Sequence, residues 1–128
     1  MAFEFIAVFS SDLPSLLDLA RTLSPRVEVR LPDALILEVT PRTRPAVLEK
    51  LKDFSPSLQV GVAGTRSAAL VAARICPGMR VPPGKEAEFL APIPVAVLQL
   101  LDDHPRLPEF LVTFARWGIH SLGDLSAL

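Results

Sequence analysis

Prolines are spread along an apolar chain, and their distribution constrains the fold more than any other feature of the sequence. The 128 residues include 13 prolines, while 50% are hydrophobic and only 21% are charged. A polar chain with that much proline would be a linker, but an apolar chain of this length buries a core, so the prolines should mark where short elements end. No apolar run approaches the roughly 20 residues that span a bilayer, which argues against a membrane protein. The sequence predicts one compact domain, alone or with a small appendage.

The first half of the chain predicts six short elements in the order strand, helix, strand, strand, helix, strand. The strands are apolar or alternate with period two, and each helix carries apolar residues at helical spacing with a proline in its first turn. The expected strands are 3–9, 27–31, 34–39 and 58–63, and the expected helices are 13–23 and 43–54. This order predicts an α+β fold on the ferredoxin-like βαββαβ plan, with helices on one face of an antiparallel sheet.

The second half of the chain predicts mainly helices. An Ala-, Leu- and Val-rich helix is expected at 67–75, followed by an irregular crossing over 77–94 that contains one short strand at 79–81. Small side chains allow the first of these helices to approach a sheet or another helix closely. Helical patterns then resume at 95 and again at 107.

A helical hairpin is expected at the end of the sequence. Apolar spacing predicts that Phe110, Leu111 and Phe114 face inward. Trp117 could stack on a nucleic-acid base, but we expect it to anchor the last helix in the core. A glycine after that helix and the N-cap residue Ser121 predict a small helix–hairpin–helix that runs to the last residue. The predicted division is an α+β domain at 1–85 and a helical unit at 86–128.

Cysteine and histidine usage excludes several kinds of site. The single cysteine, Cys76, cannot form an internal disulfide or a multi-cysteine zinc site, and it fits a reducing cytoplasm. His104 and His120 have no second ligand at metal-binding spacing, so no metal site is predicted. The sequence also lacks a glycine-rich phosphate loop and a nucleophile elbow. We therefore expect no cofactor and a cytoplasmic location.

Four segments resemble, in order, motifs of the Y-family translesion DNA polymerases. Residues 31–40 (LPDALILEVT) occupy the place of the palm segment SIDEAFLDVT, and residues 61–69 (GVAGTRSAA) resemble GIAxxKxxA. Pro77-Gly78 followed by residues 88–95 (EFLAPIPV) resembles KPxG and FLxPLPV, and residues 117–125 (WGIHSLGDL) resemble LGIxTLGDL of the thumb hairpin. The similarity is closest to the ImuB-type proteins, the polymerase-like members of bacterial mutagenesis cassettes.

This resemblance implies a palm-like domain at 1–85, a thumb-like unit at 86–128 and a role in DNA damage tolerance. Family members of the ImuB type act in translesion synthesis during the SOS response, where they bridge a RecA-like protein, a sliding clamp and an error-prone polymerase. The resemblance therefore implies protein partners of a mutagenesis complex, in particular a RecA-like protein and an error-prone polymerase.

Departures from the family pattern imply that the chain is not an enzyme. Y-family polymerases hold two Mg²⁺ ions on a cluster of palm carboxylates. The palm hairpin should supply an adjacent acidic pair, but here it has Asp33-Ala34, and Ala7 stands where the first strand should supply an aspartate. Asp33 is thus a remnant carboxylate by resemblance, and the fingers segment that grips the triphosphate is reduced to Ser24-Pro25-Arg26. We expect no nucleotide transfer.

DNA binding is the second hypothesis, and an unrelated ferredoxin-like ligand-binding domain is the third. Backbone N–H groups of the hairpin could hold a phosphate. However, residues 1–85 hold 11 basic and 8 acidic residues, whereas residues 86–128 hold 2 and 6, so the hairpin half is acidic and a poor match for DNA. The candidate DNA-binding residues are Arg42, Arg44, Arg66, Arg74, Gly118, Ile119, Ser121 and Gly123.

Overall fold

The computed structural model describes residues 3–101 and 105–127. Its first half contains the elements β1 (Glu4–Phe9), α1 (Leu13–Leu23), β2 (Val27–Leu31), β3 (Ala34–Val39), α2 (Arg44–Phe54) and β4 (Gln59–Ala63). Within the described ranges these strands form a four-stranded sheet in the order β2-β3-β1-β4, and every pair is antiparallel. The predicted α+β class is therefore confirmed.

β1 lies in the middle of the sheet and fixes its two faces. Ile6 is opposite Leu37 on β3 and Val62 on β4, whereas the next residue, Ala7, is opposite Ile36 and Gly61. Because side chains alternate along a strand, these two sets point to opposite faces. Both faces are apolar, and each is covered by helices.

Helices α1 and α2 cover the face to which Ile6 points. The Asp12 side chain caps α1 by accepting a hydrogen bond from the Ser15 N–H, and both helices carry a proline in the first turn, where no N–H is needed. The buried residues of this layer share aliphatic side chains. They are Ile6, Val8, Leu16, Ala20, Leu35, Leu37, Val39, Val47, Leu51 and Val62.

The helix that follows β4, α3 (Arg66–Ile75), covers the opposite face. Thr65 caps it by accepting a hydrogen bond from the Ala68 N–H, and residues 68–73 are all fully buried. Its small side chains let it lie very close to β4, as the sequence predicts. A Cβ atom added at Gly61 would overlap the backbone of Ala69 and Ala73, so this contact requires glycine.

The proline-rich crossing contains an extended segment where a short strand was expected at 79–81, and one helix that was not expected. Residues 78–81, here called the edge segment, run beside β4: the Val62 N–H donates to the Met79 carbonyl at 3.1 Å, and the Val81 N–H donates to the Val62 carbonyl at 2.7 Å. A short helix, α4 (Glu86–Leu90), follows it. At α4 the prediction of an irregular crossing was wrong. The five residues of α4 lie between two prolines and are enough for one helical turn, and Phe89 and Leu90 stabilise this turn by packing on the α3 core.

The second half continues with a 3₁₀ turn at Val95–Val97, α5 (Leu98–Leu101), α6 (Leu107–Arg116) and α7 (Leu122–Ser126). Gly118, with φ +75°, ends α6, and Ser121 and Asp124 form a capping box at α7. His104 and Leu128 lie outside the described residues. The division at residue 85 stays a prediction. No helix among the described residues is long and apolar enough to cross a membrane.

Candidate functional site

A polar pocket opens at the end of the sheet where β1 ends, and Asp33 is one of the residues that line it. Its volume is about 560 Å³. The turn between β2 and β3, the loop before α1 and the C-terminal end of α2 form its walls. Polar and aromatic residues line it, including Phe9, Ser10, Asp12, Asp33, Ser57 and Arg74.

The two aspartates of this pocket have structural partners nearby. Asp33 is half-buried in the turn, where its backbone carbonyl accepts a hydrogen bond from the Ser10 N–H at 2.9 Å. Asp12 caps α1. Ala7 and Ala34, the positions where the resemblance led us to look for further carboxylates, are both 0% exposed and lie in the apolar core under α3. The described residues contain no group of three or more His, Cys, Asp or Glu side chains that could hold a metal ion.

Arg74 forms the cationic wall of the polar pocket. Its guanidinium lies 4.8 Å from the centre of the Phe9 ring, and its Nη1 donates to Oε1 of Gln59 at 3.2 Å. The ring face attracts the cation and the amide fixes the guanidinium. The pocket therefore combines one positive group, two carboxylates and several hydroxyls in a position open to solvent.

Arg66 lies at a second, smaller pocket of about 290 Å³ beside β2 and β3. Its guanidinium lies 4.5 Å from the centre of the Phe5 ring, and its Nε donates to Oε2 of Glu28 at 3.0 Å. Glu38 also lines this pocket. Its buried Oε2 has no hydrogen-bond donor among the described residues, and its nearest cation is Nε of Arg26 at 3.5 Å.

The four candidate arginines do not form one patch. Arg66 and Arg74 lie at opposite ends of α3, about 12 Å apart at the helical rise per residue. Arg44, at the start of α2, donates to the buried carboxylate of Glu4, while Arg42 is exposed in the preceding turn. Because the charges are dispersed and Arg44 and Arg66 are already paired with carboxylates, this set provides little free positive charge for a phosphate backbone.

The backbone donors of the hairpin are already used within the chain. The Gly118 N–H donates to the Ala115 carbonyl at 3.2 Å and the Ile119 N–H to the Phe114 carbonyl at 2.8 Å. The Ser121 N–H donates to Oδ2 of Asp124 at 3.2 Å, and the Gly123 N–H donates to the Ala91 carbonyl at 3.0 Å. A phosphate could reach these N–H groups only by breaking existing hydrogen bonds. Phosphate binding here stays a prediction without support from the hydrogen-bond geometry.

The end of α6 presents large apolar side chains to solvent, which corrects the expectation that they face inward. Trp117 is 69% exposed, Val112 55% and Phe110 40%. Leu111 and Phe114 are half-buried, and Leu107 is the buried residue of α6. The apolar spacing correctly predicted a helix, but not which of its side chains are buried. Phe110 and Trp117, seven residues apart, lie on one side of the helix, whereas Val112 lies on nearly the opposite side. We call Phe110 and Trp117 the apolar surface of α6.

The sequence reasoning missed the buried ion-pair residue Glu4. It stands inside an apolar strand, and that placement is the signal that could have identified it as a buried ion-pair partner. Its partners, Arg44 and Arg80, are far away in the sequence, so the pattern alone could not name them.

The chain matches no family model, no curated protein and no solved structure. Its function is therefore argued from the pockets, charges and surfaces described above.

Proposed function

We propose that this chain is a non-catalytic adaptor, similar to the ImuB-type members of the Y-family polymerases, that acts through protein–protein contacts in the cytoplasm. The strand order β2-β3-β1-β4, together with the element order of the first half, is compatible with the ferredoxin-like plan of a polymerase palm. The Gly118 turn and the capped α7 are compatible with a thumb-like helix–hairpin–helix. Its partners are those of a mutagenesis complex: a RecA-like protein and an error-prone polymerase.

The packing of α3 supports the non-catalytic part of this proposal. A two-metal site needs several carboxylates that converge on one solvent-accessible place. At positions 7 and 34 the chain has alanine methyl groups that are buried under α3. A carboxylate at either position would be desolvated in an apolar layer, which costs several kcal/mol (about 3–5) unless it is paired. The polar pocket beside them has only Asp12 and Asp33 as acidic groups.

The apolar surface of α6 is the observation on which the protein–protein part rests. Trp117 is exposed over 69% of its surface, and Phe110, two helical turns earlier on the same side of α6, is 40% exposed. Clustered exposed apolar side chains mark interaction sites, and tryptophan is among the residues that most often dominate binding energy at interfaces. The dispersed arginines and the occupied backbone donors favour this function over DNA binding.

Direct binding measurements with purified partners test the proposal. The RecA-like protein and the error-prone polymerase of the same organism are each titrated with the wild-type chain and with Trp117→Ala by calorimetry. We expect at least one of them to bind, and Trp117→Ala to weaken the binding about tenfold or more. Phe54→Ala is the matched control, because Phe54 is an exposed aromatic residue at a different place. Binding that Trp117→Ala leaves unchanged, or no binding to either protein, would contradict the proposal.

A gel-shift titration distinguishes the DNA-binding alternative from the proposed adaptor function. Binding through phosphate contacts strengthens steeply as salt is lowered. We expect no retention of primer-template or damaged duplex DNA at low salt. A salt-dependent shift that Arg66→Gln and Arg74→Gln weaken would favour the DNA-binding module instead.

A further inference from the structure

β2 is an open edge of the sheet. In the described part of the chain it pairs with β3 and with no other strand. The Glu38 N–H donates to the Arg26 carbonyl, so by the alternation of an antiparallel ladder residues 26 and 28 direct their backbone groups toward β3. The N–H and C=O groups of Val27 and Val29 therefore point out of the sheet. Such a row of groups is a template for another strand.

The side chains of β2 are self-complementary about its central residue. Val29 is 52% exposed on the α1 side of the sheet. Glu28 and Arg30 lie on the other face, where their side chains form a 3.3 Å ion pair. If the strand is paired antiparallel with a copy of itself centred on Val29, each Glu28 stands opposite an Arg30 and the two valines stand opposite each other.

We propose that a second copy of this chain docks on β2, in an antiparallel pairing with Val29 on the two-fold axis. The two sheets become one continuous sheet across the interface. The pairing of β2 with β3 is irregular between Val29 and Leu31, so the backbone hydrogen bonds between the two copies are those of the central Val29 pair. The two valine side chains contact each other, and Glu28 and Arg30 of the two copies form a network of four charges. The same surface patch serves both copies, as a closed two-fold dimer requires.

The charges disfavour the two registers that are centred on the neighbouring residues. A shift that centres the pairing on Glu28 places two carboxylates opposite each other, and a shift that centres it on Arg30 places two guanidinium groups opposite each other. Like charges directly opposite across strands are destabilising. Pro25 and Pro32 flank the strand and limit the ladder to a single short segment. A register centred on Val27 would place Glu28 opposite Arg26, but it would also place Pro25, which has no N–H, opposite the outward-pointing backbone groups of Val29. Charge and proline together favour the pairing centred on Val29.

Arg66 holds Glu28 ready for this contact. Its Nε donates to Oε2 of Glu28 at 3.0 Å, and its guanidinium lies over the Phe5 ring. This hydrogen bond from α3 holds the Glu28 carboxylate in position. A carboxylate can accept about four hydrogen bonds, which leaves capacity for Arg30 of a second copy. The Glu28 carboxylate needs little reorganisation on association, and this reduces the entropic cost of binding.

Sedimentation equilibrium over a concentration series reaching the millimolar range tests the proposal. We expect a weak dimer, because a five-residue ladder buries less than the roughly 1,200 Å² of a stable complex. Glu28→Lys or Arg30→Glu alone should weaken the dimer about tenfold or more, since each change places like charges opposite each other in both halves of the interface. A mixture of the two variants should form a heterodimer, because Lys and Arg on one strand then face two Glu on the other.

Matched controls carry the same charge changes away from β2. Glu49→Lys and Arg42→Glu lie on exposed positions of α2 and the turn before it, and both should dimerise like the wild type. Arg30→Glu keeps the Arg66–Glu28 bond, so it tests the interface even if Glu28→Lys does not fold. A wild type that stays monomeric at the highest concentration, single variants that dimerise as well as the controls, or a mixture that forms no heterodimer would each overturn the proposal.

Discussion

Glu4 and Arg44 join the start of β1 to the start of α2 through an ion pair in which one guanidinium nitrogen contacts both carboxylate oxygens. Nη1 of Arg44 lies 2.8 Å from both carboxylate oxygens of Glu4, and Nη2 of Arg80, from the edge segment, lies 2.8 Å from Oε1. Burial alone would raise the pKa of the Glu4 carboxyl, but the hydrogen bonds and positive charges of Arg80 and Arg44 hold that pKa below its usual value. The charged carboxylate therefore connects three parts of the chain.

Glu4→Gln is expected to reduce the free energy of unfolding at pH 7 by about 2 kcal/mol. The amide keeps the size of the side chain but removes the charge that the two guanidinium groups share, and charged hydrogen bonds of this kind contribute about 1.5–3 kcal/mol. Urea denaturation measures the change. Glu49→Gln, at an exposed position of α2, is the matched control and should change the stability by no more than about 0.5 kcal/mol.

The same ion pair gives a defined pH dependence. Because the folded-state pKa is lowered, the contribution of Glu4 is fully present above the unfolded-state pKa, near 4.5, and is lost as the pH falls through the folded-state pKa. Glu4→Gln has no titrating group there, so the stability difference between wild type and variant should disappear in acid. A difference that stays constant from neutral to acidic pH would show that Glu4 acts by packing alone.

Gly61→Ala is expected to destabilise the protein by about 2 kcal/mol. The added methyl group would overlap the backbone of α3 at Ala69 and Ala73, and backbone atoms cannot move aside as a flexible side chain can. Gly118→Ala provides the comparison, because nothing lies within 4 Å of the added atom and only the positive φ of +75° is unfavourable. That change should cost about 1 kcal/mol. Equal costs for the two variants would contradict the close approach of α3 to β4.

Local signals in the sequence were sufficient to predict the strands and helices of the first half. Period-two alternation defines β2, and a proline in the first turn marks the start of α1 and α2, so each boundary depends on residues close together in the chain. The sequence did not predict α4. Its five residues have no side-chain N-cap, and the contact of Phe89 with the α3 core stabilises them.

The candidate site could be predicted only in part, because its charges are paired across the chain. Nothing local in the sequence indicates that Arg66 bonds Glu28, 38 residues away, or that Arg80 bonds Glu4. Amphipathic spacing likewise defines the apolar face of α6 but not whether another element covers it, so Trp117 was expected in the core. Both the ion pairs and the exposure of α6 depend on tertiary contacts between residues far apart in the sequence. A single sequence contains no local pattern that predicts such contacts.

Asp33→Asn is expected to leave the stability of the protein unchanged. Neither the variant nor the wild type is expected to show polymerase activity. Asp33 contributes its backbone carbonyl to the Ser10 N–H, and that hydrogen bond does not depend on the side chain, so the stability should change by no more than about 0.5 kcal/mol. Primer extension with Mg²⁺ or Mn²⁺ should show no nucleotide incorporation by either protein, because positions 7 and 34 offer methyl groups in place of metal ligands. An active polymerase on the same primer-template verifies the assay. Incorporation by the wild type that Asp33→Asn abolishes would instead make Asp33 a metal ligand and the polar pocket a catalytic site.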